Sequence, residues 1–140
     1  KKIIESDEKE KSLRKILNFG HTFAHAYEAT LRYSKKLNHG EAVLLGVRSA
    51  IKFSLLNKIL NVTEFKLIEK HFNKLDLPRN INKFFSKNDL NKILSFMKKD
   101  KKNYTNRINL VLIKKIGSPI HKLEFNEKKI ISFLKKELTN

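Results

Sequence analysis

The sequence predicts a mainly α, multi-helix domain carrying one small β-hairpin. Three observations predict it. Apolar residues recur at helical spacing through most of the 140 residues. One short β-branched run, Arg107-Ile-Asn-Leu-Val-Leu-Ile113, alternates instead, and Gly117-Ser-Pro119 punctuates it. No internal repeat or flexible linker divides the chain, so residues 1–140 read as one domain.

The elements follow in order. Ser12 is placed as N-cap of a long helix over about residues 13–33. Leu13, Ile16, Leu17, Phe23, Ala24, Ala26, Tyr27, Ala29 and Leu31 supply its apolar side. The loop Ser34 to Gly40 leads into a second helix, about 41–56, nearly uncharged on most faces and so predicted to be central and buried. Thr63 is read as the cap of an amphipathic third helix, about 64–75, and Pro78 ends that region. Ser86 to Asp89 offers a start signal for a fourth, about 88–98. Ile120 to Phe125 is predicted to pair back on the strand, and Asn126 to cap a last helix, about 127–138.

Composition narrows the classes of function. There is no Cys, which excludes disulfides and thiolate chemistry. No apolar run reaches the roughly 18 residues that span a bilayer. The chain opens on Lys1-Lys2 without a signal-peptide pattern, so a cytoplasmic fragment or processed domain is expected, with no membrane partner. The net charge of +17 raises a basic helical nucleic-acid-binding module as the rival reading. Against it, the basic residues are mostly Lys; only Arg14, Arg32, Arg48, Arg79 and Arg107 offer the guanidinium fork that reads bases and phosphates. The lysines are spread over every element and form no single stripe, so most of this charge is read as solvated surface.

The chemistry concentrates in two places. Arg14, Asn18, His21 and His25 are spaced i, i+4, i+7, i+11, which puts them on one face of a continuous helix. Gly20 then falls inside that helix at a cost of about 1 kcal/mol against Ala, which makes sense where something approaches the backbone closely. The second place is His39-Gly40-Glu41, in the turn that a helical hairpin folds back beside the first helix. A lone interior His is more often a hydrogen-bonded core residue than a ligand. Several imidazoles converging beside polar groups point instead to a metal site, zinc first, because burying them unpartnered would cost a few kcal/mol.

The strings Leu13-Arg14…Leu17-Asn18-Phe-Gly-His21-Thr-Phe-Ala-His25-Ala-Tyr-Glu28 and His39-Gly-Glu-Ala-Val43…Gly46 resemble the signature of 3-dehydroquinate synthases. Asp7-Glu8-Lys-Glu10 upstream, and Asp100-Lys101-Lys102 with Ile108 to Ile113 and Ile116-Gly117 downstream, extend the resemblance over nearly the whole chain. It implies the largely helical C-terminal half of a two-domain enzyme, whose N-terminal half binds NAD and supplies a Glu to the metal; no NAD-binding residue is implied within this span. It implies metal ligands at His21 and His39, for zinc or another divalent ion such as cobalt. It implies active-site roles for His25 and Glu10, and substrate binding by Arg14, Asn18 and one of Lys101 and Lys102. The implied reaction converts 3-deoxy-arabino-heptulosonate 7-phosphate to 3-dehydroquinate and phosphate in the shikimate pathway. The implied assembly is a homodimer, and the 140 residues alone are expected to be inert. Other sugar-phosphate cyclases of the superfamily share the histidine pattern and are the nearest rival. The chain departs from the usual pattern at Ser12, Ala24, Tyr27 and Val47, all small or apolar changes expected to alter packing more than chemistry.

Overall fold

The computed structural model describes residues 19–77, 80–99 and 106–139. Among them the order is α1 (His21–Thr30), α2 (His39–Leu56), α3 (Val62–Lys74), α4 (Leu90–Lys99), β1 (Arg107–Lys115), β2 (Ser118–Asn126) and α5 (Glu127–Thr139). Short 3-10 turns cover Ile81–Lys83 and Lys87–Asp89. The strands form a two-stranded antiparallel sheet, so the mainly α class with one hairpin is what the chain adopts.

The first helix differs from its sequence expectation. Gly20 is not inside a helix: it is the N-cap of α1, in the left-handed region at φ 79°. The helix therefore starts at His21 and ends at Thr30, and the chain turns through Arg32 and Tyr33, both with positive φ. The cause is the neighbouring helix. A Cβ on Gly20 would lie 2.6 Å from the Val47 nitrogen and 2.8 Å from the Gly46 carbonyl carbon. A Cβ on Gly46 would lie 2.7 Å from the Ala24 nitrogen. Two glycines thus let α1 and α2 meet backbone to backbone, the close approach that a Gly at position 20 had signalled.

Side-chain caps set the other helix starts. Asn38 and Glu41 form a capping box on α2: Asn38 Oδ1 accepts from the Glu41 N–H at 2.8 Å, and the Glu41 carboxylate accepts from the Asn38 N–H at 3.1 Å. Asn61, rather than the expected Thr63, caps α3, accepting from the Glu64 N–H at 2.8 Å. The Asn61 carbonyl already takes the first intrahelical bond, from Phe65 at 3.0 Å, so the start falls two residues earlier. Ser86 and Asp89 close a capping box on the 3-10 turn that leads into α4. Asn126 caps α5 as expected, accepting from the Lys128 N–H at 2.9 Å.

The hairpin runs from Arg107↔Asn126 to Lys115↔Ser118 and turns at Ile116-Gly117, where Gly117 supplies φ 83°. Along β1, Ile108, Leu110 and Leu112 face the core. Ser54 of α2 anchors the strand's far end: its hydroxyl donates to the Ala50 carbonyl at 2.7 Å and accepts from the Ile113 N–H at 3.1 Å. Rings from four elements meet at the centre. Phe53 of α2 lies 5.3 Å from Phe133 of α5, 6.4 Å from Phe23 of α1 and 4.9 Å from Phe125 of β2, in tilted and edge-on geometries. The second helix is the hub, as its apolar sequence predicted. It also buries one charge. Arg48 donates to Glu69 of α3 at 2.6 Å and stacks 5.1 Å above the Phe72 ring, which fastens α3 to α2.

Candidate metal and substrate site

Two contacts fix α1 against α2. At one end Gly20 rests on Gly46 and Val47. At the other, Glu28 Oε1 lies 3.0 Å from Nδ1 of His39. These contacts are about 12 Å apart along α1 and about 10 Å apart along α2, at the rise of a helix. An antiparallel helical hairpin satisfies both, and it carries the His39 turn back beside α1 as expected from the sequence.

On α1, His21, His25 and Glu28 follow i, i+4, i+7 and share one face. The rings of His21 and His25 are 5.5 Å apart between centroids. His39 joins the row at the Glu28 end. The opposite face buries Phe23, Ala26, Tyr27 and Thr30. The structure therefore brings His25 to His21 and His39 to Glu28, one polar row along the hairpin.

This row is not interior. His21 is half-buried, His25 is exposed, and the His39 side chain retains 70% of its accessible surface. A burial cost is therefore not what gathers these imidazoles. The left-handed Gly20 also breaks the helical phase, so a shared stripe cannot be carried back from His21 to Arg14 and Asn18 by periodicity. Glu10, Arg14, Asn18, Lys101 and Lys102 lie outside the described residues, as does Ser12.

Glu28 was part of the quoted signature without a role assigned to it. Its spacing from His21 was a signal for it, but only the hairpin register shows what it meets. Its side chain is 12% exposed. Glu41, adjacent in sequence to the His39 turn, is engaged in the capping box of α2. Among the described residues no group of three or more His, Cys, Asp or Glu converges to hold a metal. Two imidazoles from two helix starts are donors suited to two positions of a divalent ion, the remaining ligands coming from elsewhere.

Behind the row, the Tyr27 hydroxyl is fully buried and bonds Ser49 Oγ of α2 at 2.6 Å. Burial pushes its pKa far above the usual phenol range, making it a weaker acid; the Ser49 bond opposes this and the nearby Glu137 charge adds to it. Ala24 and Tyr27, two of the departures from the usual pattern, are both fully buried.

A family model described as "3-dehydroquinate synthase C-terminal" matches residues 1–103. The chain belongs to this family. It is 71% identical over 139 residues to the 3-dehydroquinate synthase of Pelagibacter ubique (strain HTCC1062), covering 99% of this chain and 38% of that protein. It is 43% identical over 120 residues to the 3-dehydroquinate synthase of Endomicrobium trichonymphae, covering 85% of this chain and 32% of that one. The chain thus spans well under half the length of these relatives. Among solved structures, a 2-deoxy-scyllo-inosose synthase complexed with carbaglucose-6-phosphate, NAD+ and Co2+ superposes with a TM-score of 0.68 over 94% of this chain and 36% of that chain, at 19% identity. That likeness concerns the fold alone. Among the described residues no helix is long and apolar enough to cross a membrane.

Proposed function

We propose that this chain is the C-terminal half of a cytoplasmic 3-dehydroquinate synthase, acting on 3-deoxy-arabino-heptulosonate 7-phosphate to give 3-dehydroquinate and phosphate. The observation that carries this reading is the polar row of His21, His25 and His39 on the α1–α2 hairpin of a chain in this family. The row faces outward from the helical core, which suits a site completed by a second, NAD-binding domain. A divalent metal, zinc or cobalt, would be held by His21 and His39, and when bound it supplies polarisation of substrate hydroxyls while NAD accepts the hydride.

The chain's own residues take the remaining tasks. His39 is oriented by its contact with Glu28. His25, next to His21 and open to solvent, is placed to move a proton at neutral pH. Arg14 offers a planar fork to the substrate carboxylate, and Asn18 hydrogen bonds to its hydroxyls. Lys101 or Lys102 offers a point charge to the phosphate, and Glu10 an acidic group at the site. The carboxylate and phosphate of the substrate suit a strongly basic chain. The 140 residues alone are expected to be inert, since the NAD-binding half and the third metal ligand lie elsewhere, and the full-length enzyme is expected to be a homodimer.

The test is a Co2+ titration of the full-length protein, alongside NAD-dependent phosphate release. His21→Ala and His39→Ala should each weaken Co2+ binding and abolish release, while His25→Ala should leave binding intact and slow release. Normal release by both the His21 and His39 variants would refute the assignment.

A further inference from the structure

We infer that Glu28 is a positioning residue that fixes the ring of His39 and selects its tautomer. The inference rests on the metal reading above and adds to it a residue to which no role has been assigned.

The geometry has three parts. His39 is the first residue of α2, and its backbone is held by the Asn38–Glu41 capping box directly around it. Its ring is held at a second point, Nδ1, 3.0 Å from Glu28 Oε1. A carboxylate can only accept, so Nδ1 carries the hydrogen and the lone pair is left on Nε2, the nitrogen at the far end of the ring. A carboxylate, an imidazole and an open Nε2 in series is the arrangement that orients metal-binding histidines and raises their basicity.

A surface Glu–His contact with no further purpose is the alternative, and such pairs contribute little to stability. Two features count against it. The carboxylate is 12% exposed although the imidazole it holds is 70% exposed, so the fixed partner is the buried one and the presented partner is the histidine. Glu28 also continues the His21–His25 face by one turn, which places it in the row and not beside it. A contact that served only the helix hairpin would work equally well through Nε2; the use of Nδ1 is what leaves the outward nitrogen available.

The experiment uses the full-length protein with Co2+ alone as probe. Affinity is read by visible absorption against a competing chelator, and the His39 tautomer by nitrogen-15 NMR of the metal-free protein. Glu28→Ala should weaken Co2+ binding by about 10- to 100-fold. It should also move metal-free His39 away from the Nδ1–H form. Glu28→Gln, whose amide oxygen still accepts, should fall between wild type and Glu28→Ala in both readouts. Because Glu28→Gln is isosteric, it keeps the test valid even where Glu28→Ala disturbs the hairpin, as judged by circular dichroism. A Glu28→Ala variant with Co2+ affinity within about twofold of wild type, or with His39 still in the Nδ1–H form, overturns the inference. If His39→Ala itself leaves Co2+ affinity unchanged, the metal reading fails and the inference's consequence for the metal fails with it. A normal loss in His39→Ala with a neutral Glu28→Ala overturns the Glu28 role alone.

Discussion

Gly46→Ala is the most direct test of how the hairpin is built. Gly46 lies inside α2, where replacing Gly by Ala gains about 1 kcal/mol of helix propensity. Against this stands the space. The new methyl would press on the Gly20 carbonyl oxygen, lie 2.7 Å from the Ala24 nitrogen and 2.8 Å from the Ala24 Cβ. Two of these atoms, the Gly20 oxygen and the Ala24 nitrogen, are bonded to each other at 2.9 Å in the first hydrogen bond of α1. The methyl is therefore a wedge driven against backbone, which cannot swing away as a side-chain end can. Overpacking of this kind costs about 1–3 kcal/mol, toward the upper end where backbone must move. A weakened first-turn hydrogen bond adds about 1 kcal/mol. The net expectation is a loss of about 2 kcal/mol. Urea unfolding followed by circular dichroism measures it, as a lowered midpoint at unchanged slope. Gly40→Ala is the control: it meets nothing closer than Asn38 Oδ1 at 3.5 Å, has no positive φ, and should be neutral or slightly stabilising. A Gly46→Ala variant at least as stable as wild type would show that the helices separate freely, and the register argument for the His row would fail.

Two further predictions concern buried polar groups. Tyr27 has its pKa raised by burial, so the folded chain keeps the phenol proton where the unfolded chain has lost it. Its contribution to stability is complete below the ordinary phenol value of 10.0 and falls as pH rises above it. The slope is about 1.4 kcal/mol per pH unit, and comparison of wild type with Tyr27→Phe isolates it, the variant showing the flatter decline in urea unfolding at alkaline pH. Equal slopes in the two proteins would refute the assignment. Glu69→Gln removes the charge facing the buried Arg48, bonded at 2.6 Å, and should cost about 1–3 kcal/mol in the same assay. Because Arg48 is buried, the loss should persist at high salt, whereas an exposed pair would be screened.

Legibility in the sequence followed the range of the forces. The amphipathic helices, the alternating strand at 107–113 and the caps at Ser86 and Asn126 are local patterns, and each element after the first helix stands within a few residues of its expected place. Asn61 displaced Thr63 because both are good caps and only the hydrogen bonding of the first turn separates them. Gly20 was misplaced for a longer-range reason. Its left-handed conformation depends on Gly46, 26 positions later, and neither glycine alone reveals that two backbones touch. Likewise the apolar pattern of α2 conceals that Arg48 is buried, since its partner Glu69 lies on another helix.

The histidine row is ordered by something other than burial. The spacing of His21 and His25 marks one helix face, expected from the sequence to be interior. In the chain His25 and His39 are exposed and His21 is half-buried, so a burial cost does not group them. What orders the row is different. The Gly20–Gly46 contact brings the helices close enough for a glutamate on one to reach a histidine at the start of the other. The capping box fixes where that start is. Behind the row, the rings of Phe23, Phe53 and Phe133 pack on one another in the core. On this account substitutions at Gly20 or Gly46 and substitutions at Glu28 should weaken metal binding by separable routes. The first should lower stability and affinity together, and the second should lower affinity with stability nearly unchanged.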